Sequence, residues 1–229
     1  MDKLREQPNT VERVELGLSF VLRLTLALAF VGAIFRGQWS VLFPSGVALA
    51  LTFLPAVVEK KIRLSLPMEF EFLFVIFVYA AVFLGEAHDF YNRYWWWDVM
   101  LHTVSGVNLG FMGFVILFSL RSGDKVRASA FLIAVFSFTF SLALGALWEI
   151  YEYGMDCLFG LNMQKSGLVD TMWDLIVDSL GAIWAAVLGF FYIKCNKGYV
   201  VRRLIEKLAQ SNPGRPGLPK PPLPFTNDA

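Results

Sequence analysis

The stretch Asp170–Ala182, DTMWDLIVDSLGA, sets three aspartates at four-residue intervals in a run otherwise apolar enough to enter a lipid bilayer. On a helix, Asp170, Asp174 and Asp178 share one face and descend about 12 Å along the axis. Each aspartate at the centre of an inserted helix costs about 2.5–3.5 kcal/mol on the insertion scale, so this face needs partners or water. The rest of the chain has to supply them.

Composition fixes the class. The chain has 229 residues, 56% hydrophobic, 16% aromatic and 17% charged, with mean hydropathy +0.55, which is too little polar surface for a soluble domain of this size. A net charge of +1 gives no basis for nucleic-acid binding. The chain reads as an all-α polytopic membrane protein, because roughly 20 helical residues cross a hydrocarbon core of about 30 Å. Six segments qualify: Leu16–Phe35, Trp39–Val58, Met68–Gly85, Val99–Leu120, Ala128–Trp148 and Asp174–Ile193. The third is the shortest apolar run, since Glu69 and Glu71 leave only Phe72–Gly85 free of charge. No small-residue cleavage site follows the first, which reads as a retained helix. The organisation is then an N-terminal segment 1–15, a six-helix membrane domain 16–193 and a C-terminal segment 194–229, with no repeat of 20 to 50 residues.

Lysine and arginine orient the spans, because basic connections stay preferentially in the cytoplasm. Lys3, Arg5 and Arg13 precede the first span, Lys60, Lys61 and Arg63 follow the second, Arg121, Lys125 and Arg127 follow the fourth, and seven more bases follow the sixth. The remaining loops carry one base each, Arg36, Arg93 and Lys165. Both termini are therefore expected in the cytoplasm. Trp39, Trp95, Trp96, Trp97, Trp148 and Trp173 then fall at the outer interface, and YWWWD reads as an aromatic belt. Cys157 and Cys195 fall on opposite sides, so no intramolecular disulfide is expected. The end of the chain offers a short basic amphipathic helix, GYVVRRLIEKLAQ, and a Pro-rich tail expected to be disordered. Arg23, the one base inside a predicted span, is expected to snorkel to the cytoplasmic side or to pair with Glu71.

With that orientation, nine of the nineteen carboxylates collect at the outer face: Glu86, Asp89, Asp98, Glu149, Glu152, Asp156, Asp170, Asp174 and Asp178. His88 and His102 lie there too. Asp98 and His102 stand one helical turn apart, and Glu149, Glu152 and Asp156 fall at i, i+3 and i+7. Three helix ends thus carry polar stripes at similar depth, and such stripes face one another or a wet cavity. So many carboxylates need compensation. One form is a divalent cation held by His102, Glu149, Asp174 and Asp178, with Asp98 as the partner that orients the imidazole and Glu152, Asp156 and Asp170 as supporting or alternative ligands. The other is a proton relay through protonated carboxyls. Glu86, Asp89 and Asp170 also have a plain reading as interfacial or capping groups. Gly106, Gly110 and Gly113 on the fourth span and Gly181, Ala185 and Gly189 on the sixth have the small-residue spacing of close helix packing.

The succession DVMLHTVSG, GALWEIYEYGMD and QKSGLVDTMWDLIVDSLGA resembles the bacterial inner-membrane family of unknown function typified by YjdF, over most of the membrane region. More distantly it resembles the VanZ-like family, whose pattern of Asp-x3-His, Gly-x3-Glu and Asp-x3-Asn-x2-Gly corresponds here to Asp98 and His102, Gly145 and Glu149, then Asp174, Asp178 and Gly181. Asp178 stands where that pattern has Asn, which adds negative charge. Neither resemblance implies a reaction. Three functions from different classes follow: a metal-dependent enzyme acting on an envelope lipid or lipid-linked substrate, a proton- or cation-coupled transporter, and a non-catalytic membrane binding module. The acids lie on one side and no inverted repeat is visible, which places the enzyme before the transporter.

Overall fold

The computed structural model describes residues 10–62, 65, 67–160, 162–195, 198–212 and 214, and every element among them is helical. These are α1 (Thr10–Arg36), α2 (Trp39–Leu51), α3 (Leu54–Ile62), α4 (Met68–Val78, continued by a π-helical stretch Tyr79–Ala87), α5 (Phe90–Arg93), α6 (Trp96–Ser122), α7 (Ala130–Phe159), α8 (Leu168–Cys195) and α9 (Tyr199–Ser211). Six helical stretches among the described residues are long and apolar enough to cross a membrane, α2 with α3 and α4 with its continuation each counting as one. The Pro-rich tail lies outside the described residues apart from Ser211, Asn212 and Gly214.

Helix ends depart from the hydropathy reading in two places. The fifth span was read as stopping at Trp148, yet α7 runs on to Phe159, where Gly160 closes it in a left-handed conformation with φ 65°. Its 30 residues are about 45 Å long, more than a hydrocarbon core of about 30 Å takes up. The sixth span was read as starting at Asp174, yet α8 begins at Leu168. Asp170 therefore sits in the first turn of α8, where a carboxylate meets the positive end of the helix dipole, and is not its cap.

The chain forms two compact units, residues 1–97 and 98–229. In the first, Leu26, Ala48, Val78 and Phe83 form the buried core. Pro55 cannot donate to the carbonyl four residues back, and the second span is broken at Thr52 and Phe53. Arg23 repairs the break: its Nη2 donates to the Thr52 carbonyl at 2.9 Å and to Glu71 Oε1 at 2.9 Å, and its guanidinium lies 5.0 Å from the centre of the Phe53 ring. Of the two expectations for this base, pairing with Glu71 is the one observed.

In the second unit α6, α7 and α8 pack through small residues. A Cβ added to Gly106 would lie 2.5 Å from the Asp178 carbonyl oxygen, and one added to Gly181 would lie 2.7 Å from the Thr103 carbonyl oxygen. The backbones of α6 and α8 are thus in direct apposition. On α7, Ser137 and Ser141 donate to the carbonyls of Gly110 and Gly106 at 2.6 and 2.8 Å. Such interhelical bonds contribute about 0.6 kcal/mol each. Below them Phe114, Ile133 and Ala185 form an apolar core, closed by Val201 and Ile205 of α9. The amphipathic helix expected on the membrane face therefore turns its apolar side into the protein.

Gly106→Ala is expected to destabilise the protein by about 1–3 kcal/mol, because the clashing atoms are backbone and cannot swing away. Gly17→Ala, with nothing within 4 Å of the added methyl, is expected to be neutral or slightly stabilising. Denaturant melts of both variants in one detergent check the contrast, and equal effects would contradict the backbone apposition.

Candidate functional site

Where α6 and α8 meet most closely, the first turns of α6 carry Asp98, His102 and Ser105 on one side, and α8 brings Asp174 and Asp178. The late turns of α7 add Glu149. His102, Glu149, Asp174 and Asp178 are buried to 8, 4, 3 and 2% exposure. Lipid would not accept such groups on a helix exterior, and the pattern of buried glycines and serines beside them shows why they turn inward.

The imidazole of His102 organises the cluster. Its Nδ1 is 3.3 Å from Asp178 Oδ2. On the other side of the ring, Nε2 is 3.7 Å from Asp98 Oδ1 and 3.9 Å from Glu149 Oε1. Ser105 Oγ lies 2.8 Å from the His102 carbonyl and 3.1 Å from Asp178 Oδ1, so its single proton is shared between them. Gly145 completes the surroundings of Asp178, since a Cβ there would meet Oδ2 at 2.5 Å. One atom each from Asp98, His102 and Asp174 lie within 4.8 Å of one another, a grouping that suits a metal ion.

Several of these oxygens have nothing to bond. Neither carboxylate oxygen of Glu149 has a hydrogen-bond partner, and Oδ2 of Asp174 has none. A buried polar atom without a partner costs about 1–3 kcal/mol, and more when charged. The site is therefore held together by the fold around it against the preference of its own groups.

The expected site residues separate by position. Asp178, expected among the metal ligands, faces Nδ1, whereas Asp98, expected to orient the ring, faces Nε2 with Glu149. Glu152 accepts from Trp148 Nε1 of its own helix at 2.9 Å. Asp156 accepts from the backbone amides of Met163 and Gln164 at 2.7 and 2.9 Å, which pins the connection between α7 and α8. Asp170 Oδ2 is buried without a partner in the first turn of α8. In the other unit, His88 Nδ1 is 3.1 Å from the Phe83 carbonyl and Asp89 accepts from Asn92 at 2.6 Å, so both are engaged locally. Ser105 had drawn no role from the sequence, although its place three residues after His102 puts it on the same helical face. Cys157 and Cys195 are free and exposed.

The whole of this cluster lies inside a region, residues 18–195, that matches the family described as "Predicted membrane protein (DUF2238)". The chain belongs to that family. Resemblance to the YjdF-typified proteins fits this family. A relative from Thermotoga maritima, named "Uncharacterized protein", is 32% identical over 133 residues, which is 56% of this chain. The match covers 66% of the relative, just under two thirds of its length. No solved structure matches the chain.

Cysteines in place of Asp98 and Asp174, in a chain with Cys157→Ser and Cys195→Ser, are expected to be joined within one molecule by a short bifunctional reagent, given the spacing of the native side chains. Mass spectrometry of the linked peptides checks this. Reaction of control pairs without reaction of this pair would separate the two side chains.

Proposed function

We propose that this chain is a bacterial inner-membrane protein whose His102 pocket opens on the outer face and holds a divalent cation for chemistry on an envelope lipid or lipid-linked substrate. One observation carries the reading: Asp98, His102 and Asp174 offer three ligand atoms within 4.8 Å, beside the unpartnered carboxylate of Glu149. An ion would give these buried oxygens the positive charge and the bonds they lack. Such an ion polarises a phosphoryl or acyl oxygen and makes a water it holds more acidic. Glu149, 3.9 Å from Nε2 of the ring, would be the general base beside such an ion. The outward direction rests on the basic loops. Asp98 lies at the start of α6, Glu149 about 28 Å along α7 and Asp174 near the start of α8, which supports a pocket at headgroup depth. The VanZ-like correspondence of Asp98, His102, Gly145, Glu149, Asp174, Asp178 and Gly181 supports the choice of residues through its motif alone.

A second reading has its own observation. His102 lies within 4.0 Å of three carboxylates, and a protonated imidazole would itself compensate them, as in a proton relay. Metal separates the two. Under the cation reading, metal co-purifies with the detergent-solubilised protein, chelator lowers its melting temperature and added divalent ion restores it, by about 2.7 kcal/mol at a hundredfold excess over Kd. Glu149→Gln then removes or weakens the response while leaving the metal-free protein as stable as the wild type or more so, because an uncompensated buried charge is gone. If metal and chelator both leave the melting curve unmoved, the relay is the better account.

The orientation is tested separately. A reporter active only outside the cytoplasm is expected to work when inserted at Gly160 and to be silent when fused after Cys195; the opposite pattern would place the pocket on the cytoplasmic side.

A further inference from the structure

Resting on the cation reading, we infer that Ser105 and Asp178 form a positioning pair that reserves His102 Nε2 for the ion, so that the site takes a first-row transition ion of the manganese, iron or zinc class in preference to magnesium or calcium. The ring has two nitrogens in unlike surroundings. Nδ1 faces Asp178 alone, at 3.3 Å, whereas Nε2 faces Asp98 at 3.7 Å and Glu149 at 3.9 Å. In a neutral imidazole one nitrogen carries the proton and the other a lone pair. A carboxylate at Nδ1 holds the proton there and leaves the Nε2 lone pair directed at the acidic group, the arrangement by which a carboxylate fixes a metal-binding histidine.

Asp178 is itself held. Ser105 Oγ is 3.1 Å from its Oδ1, which leaves Oδ2 for the ring. The α7 backbone at Gly145 closes over Oδ2, and the α6 backbone at Gly106 lies against the main chain of Asp178. These contacts hold the carboxylate on the Nδ1 side of the ring. What remains on the Nε2 side is one nitrogen with the oxygens of Asp98 and Glu149, and Asp174 offers a further ligand atom within 4.8 Å of those of Asp98 and His102. Asp174 is the independent sign that the group awaits an ion and is not a self-sufficient polar network: it is 3% exposed, and its Oδ2 has no hydrogen-bond partner.

The donor set selects the metal class. Calcium takes oxygen ligands almost exclusively, and magnesium keeps most of its water and binds through carboxylates, so neither gains from an imidazole. Transition ions do. Four ligands at bonds of 2.0–2.1 Å around zinc lie about 3.4 Å apart, so Nε2 and Asp98 Oδ1 at 3.7 Å need to close by only a few tenths of an ångström.

The test uses the full chain in detergent, stripped of metal and titrated with manganese, zinc, magnesium or calcium at matched free concentrations. Manganese and zinc are expected to raise the melting temperature at concentrations where magnesium and calcium do not. Pulsed electron paramagnetic resonance of the manganese form is expected to show coupling to an imidazole nitrogen, and His102→Gln to remove it. Ser105→Ala and Asp178→Asn are expected to weaken manganese binding about 10- to 100-fold and to change the nitrogen coupling, while the metal-free melting temperature stays near that of wild type. Ser105→Thr, which keeps the hydroxyl, restores both readouts. If magnesium and calcium stabilise the protein as well as manganese does, and no nitrogen coupling is seen, the inference fails and the cation reading stands. If the two variants bind manganese with wild-type affinity and coupling, the positioning pair is wrong. Absence of any response to all four ions overturns the cation reading and this inference together.

Discussion

The contact on which the second unit depends is the apposition of the α6 and α8 backbones at Gly106 and Gly181. Association of helices in lipid has no hydrophobic driving force, so it rests on close van der Waals contact and on the few hydrogen bonds that closeness permits. Where the two backbones touch, Asp178 comes within reach of His102 and Ser105. The same glycines leave carbonyls open to α7, and Ser141 bonds the Gly106 carbonyl. A residue with a side chain at position 106 would separate the helices and, in doing so, separate the ring from the carboxylate that fixes it. Fold and site are for this reason one constraint.

That constraint is strong enough to bury groups that would rather be wet. Asp174 and Glu149 keep oxygens without partners in a part of the protein that is almost closed to solvent. Stability cannot be the reason for retaining them, because removing an uncompensated buried charge is neutral or favourable. Arg23 makes an instructive contrast. It too is polar within a span, but its guanidinium meets Glu71, the Thr52 carbonyl and the Phe53 ring, and only its Nε is left without a partner.

Much of this was legible in the sequence. Hydropathy located every span, and four-residue spacing put Asp98 with His102 and Asp174 with Asp178 on common faces. The apolar spans are shorter than the helices that hold them. Hydropathy ended the fifth span at Trp148 because Glu149, Glu152 and Asp156 are charged, while their spacing carried the helix on through Asp156 and Gly160 closes it after Phe159. The sixth span began at Asp174 by the same measure, while the stripe from Asp170 put the helix start earlier, and α8 begins at Leu168. Periodicity says which residues share a face but not which side of a ring each one meets, so Asp98 and Asp178 could not be told apart. The amphipathic pattern of α9 is the same whether its apolar side enters lipid or protein, and only the packing of Val201 and Ile205 against Phe114, Ile133 and Ala185 decides between them.

That packing also bears on what the pocket can do. From the site toward the other end of the unit, polar groups continue as far as Ser141 and Ser137, whose hydroxyls are consumed by the Gly106 and Gly110 carbonyls. Beyond them lie Phe114, Ile133 and Ala185, all fully buried, and then Val201 of α9, fully buried as well. A proton or cation leaving the site through this unit would have to cross that apolar layer, whose buried residues carry no carboxylate, imidazole or hydroxyl. Alternating access through this unit would require α9 to leave its seat and the layer to open, at the cost of exposing the largest buried side chains the unit has. Binding at the cluster itself needs no such movement, because its side chains already lie together at one end of the unit, away from that layer.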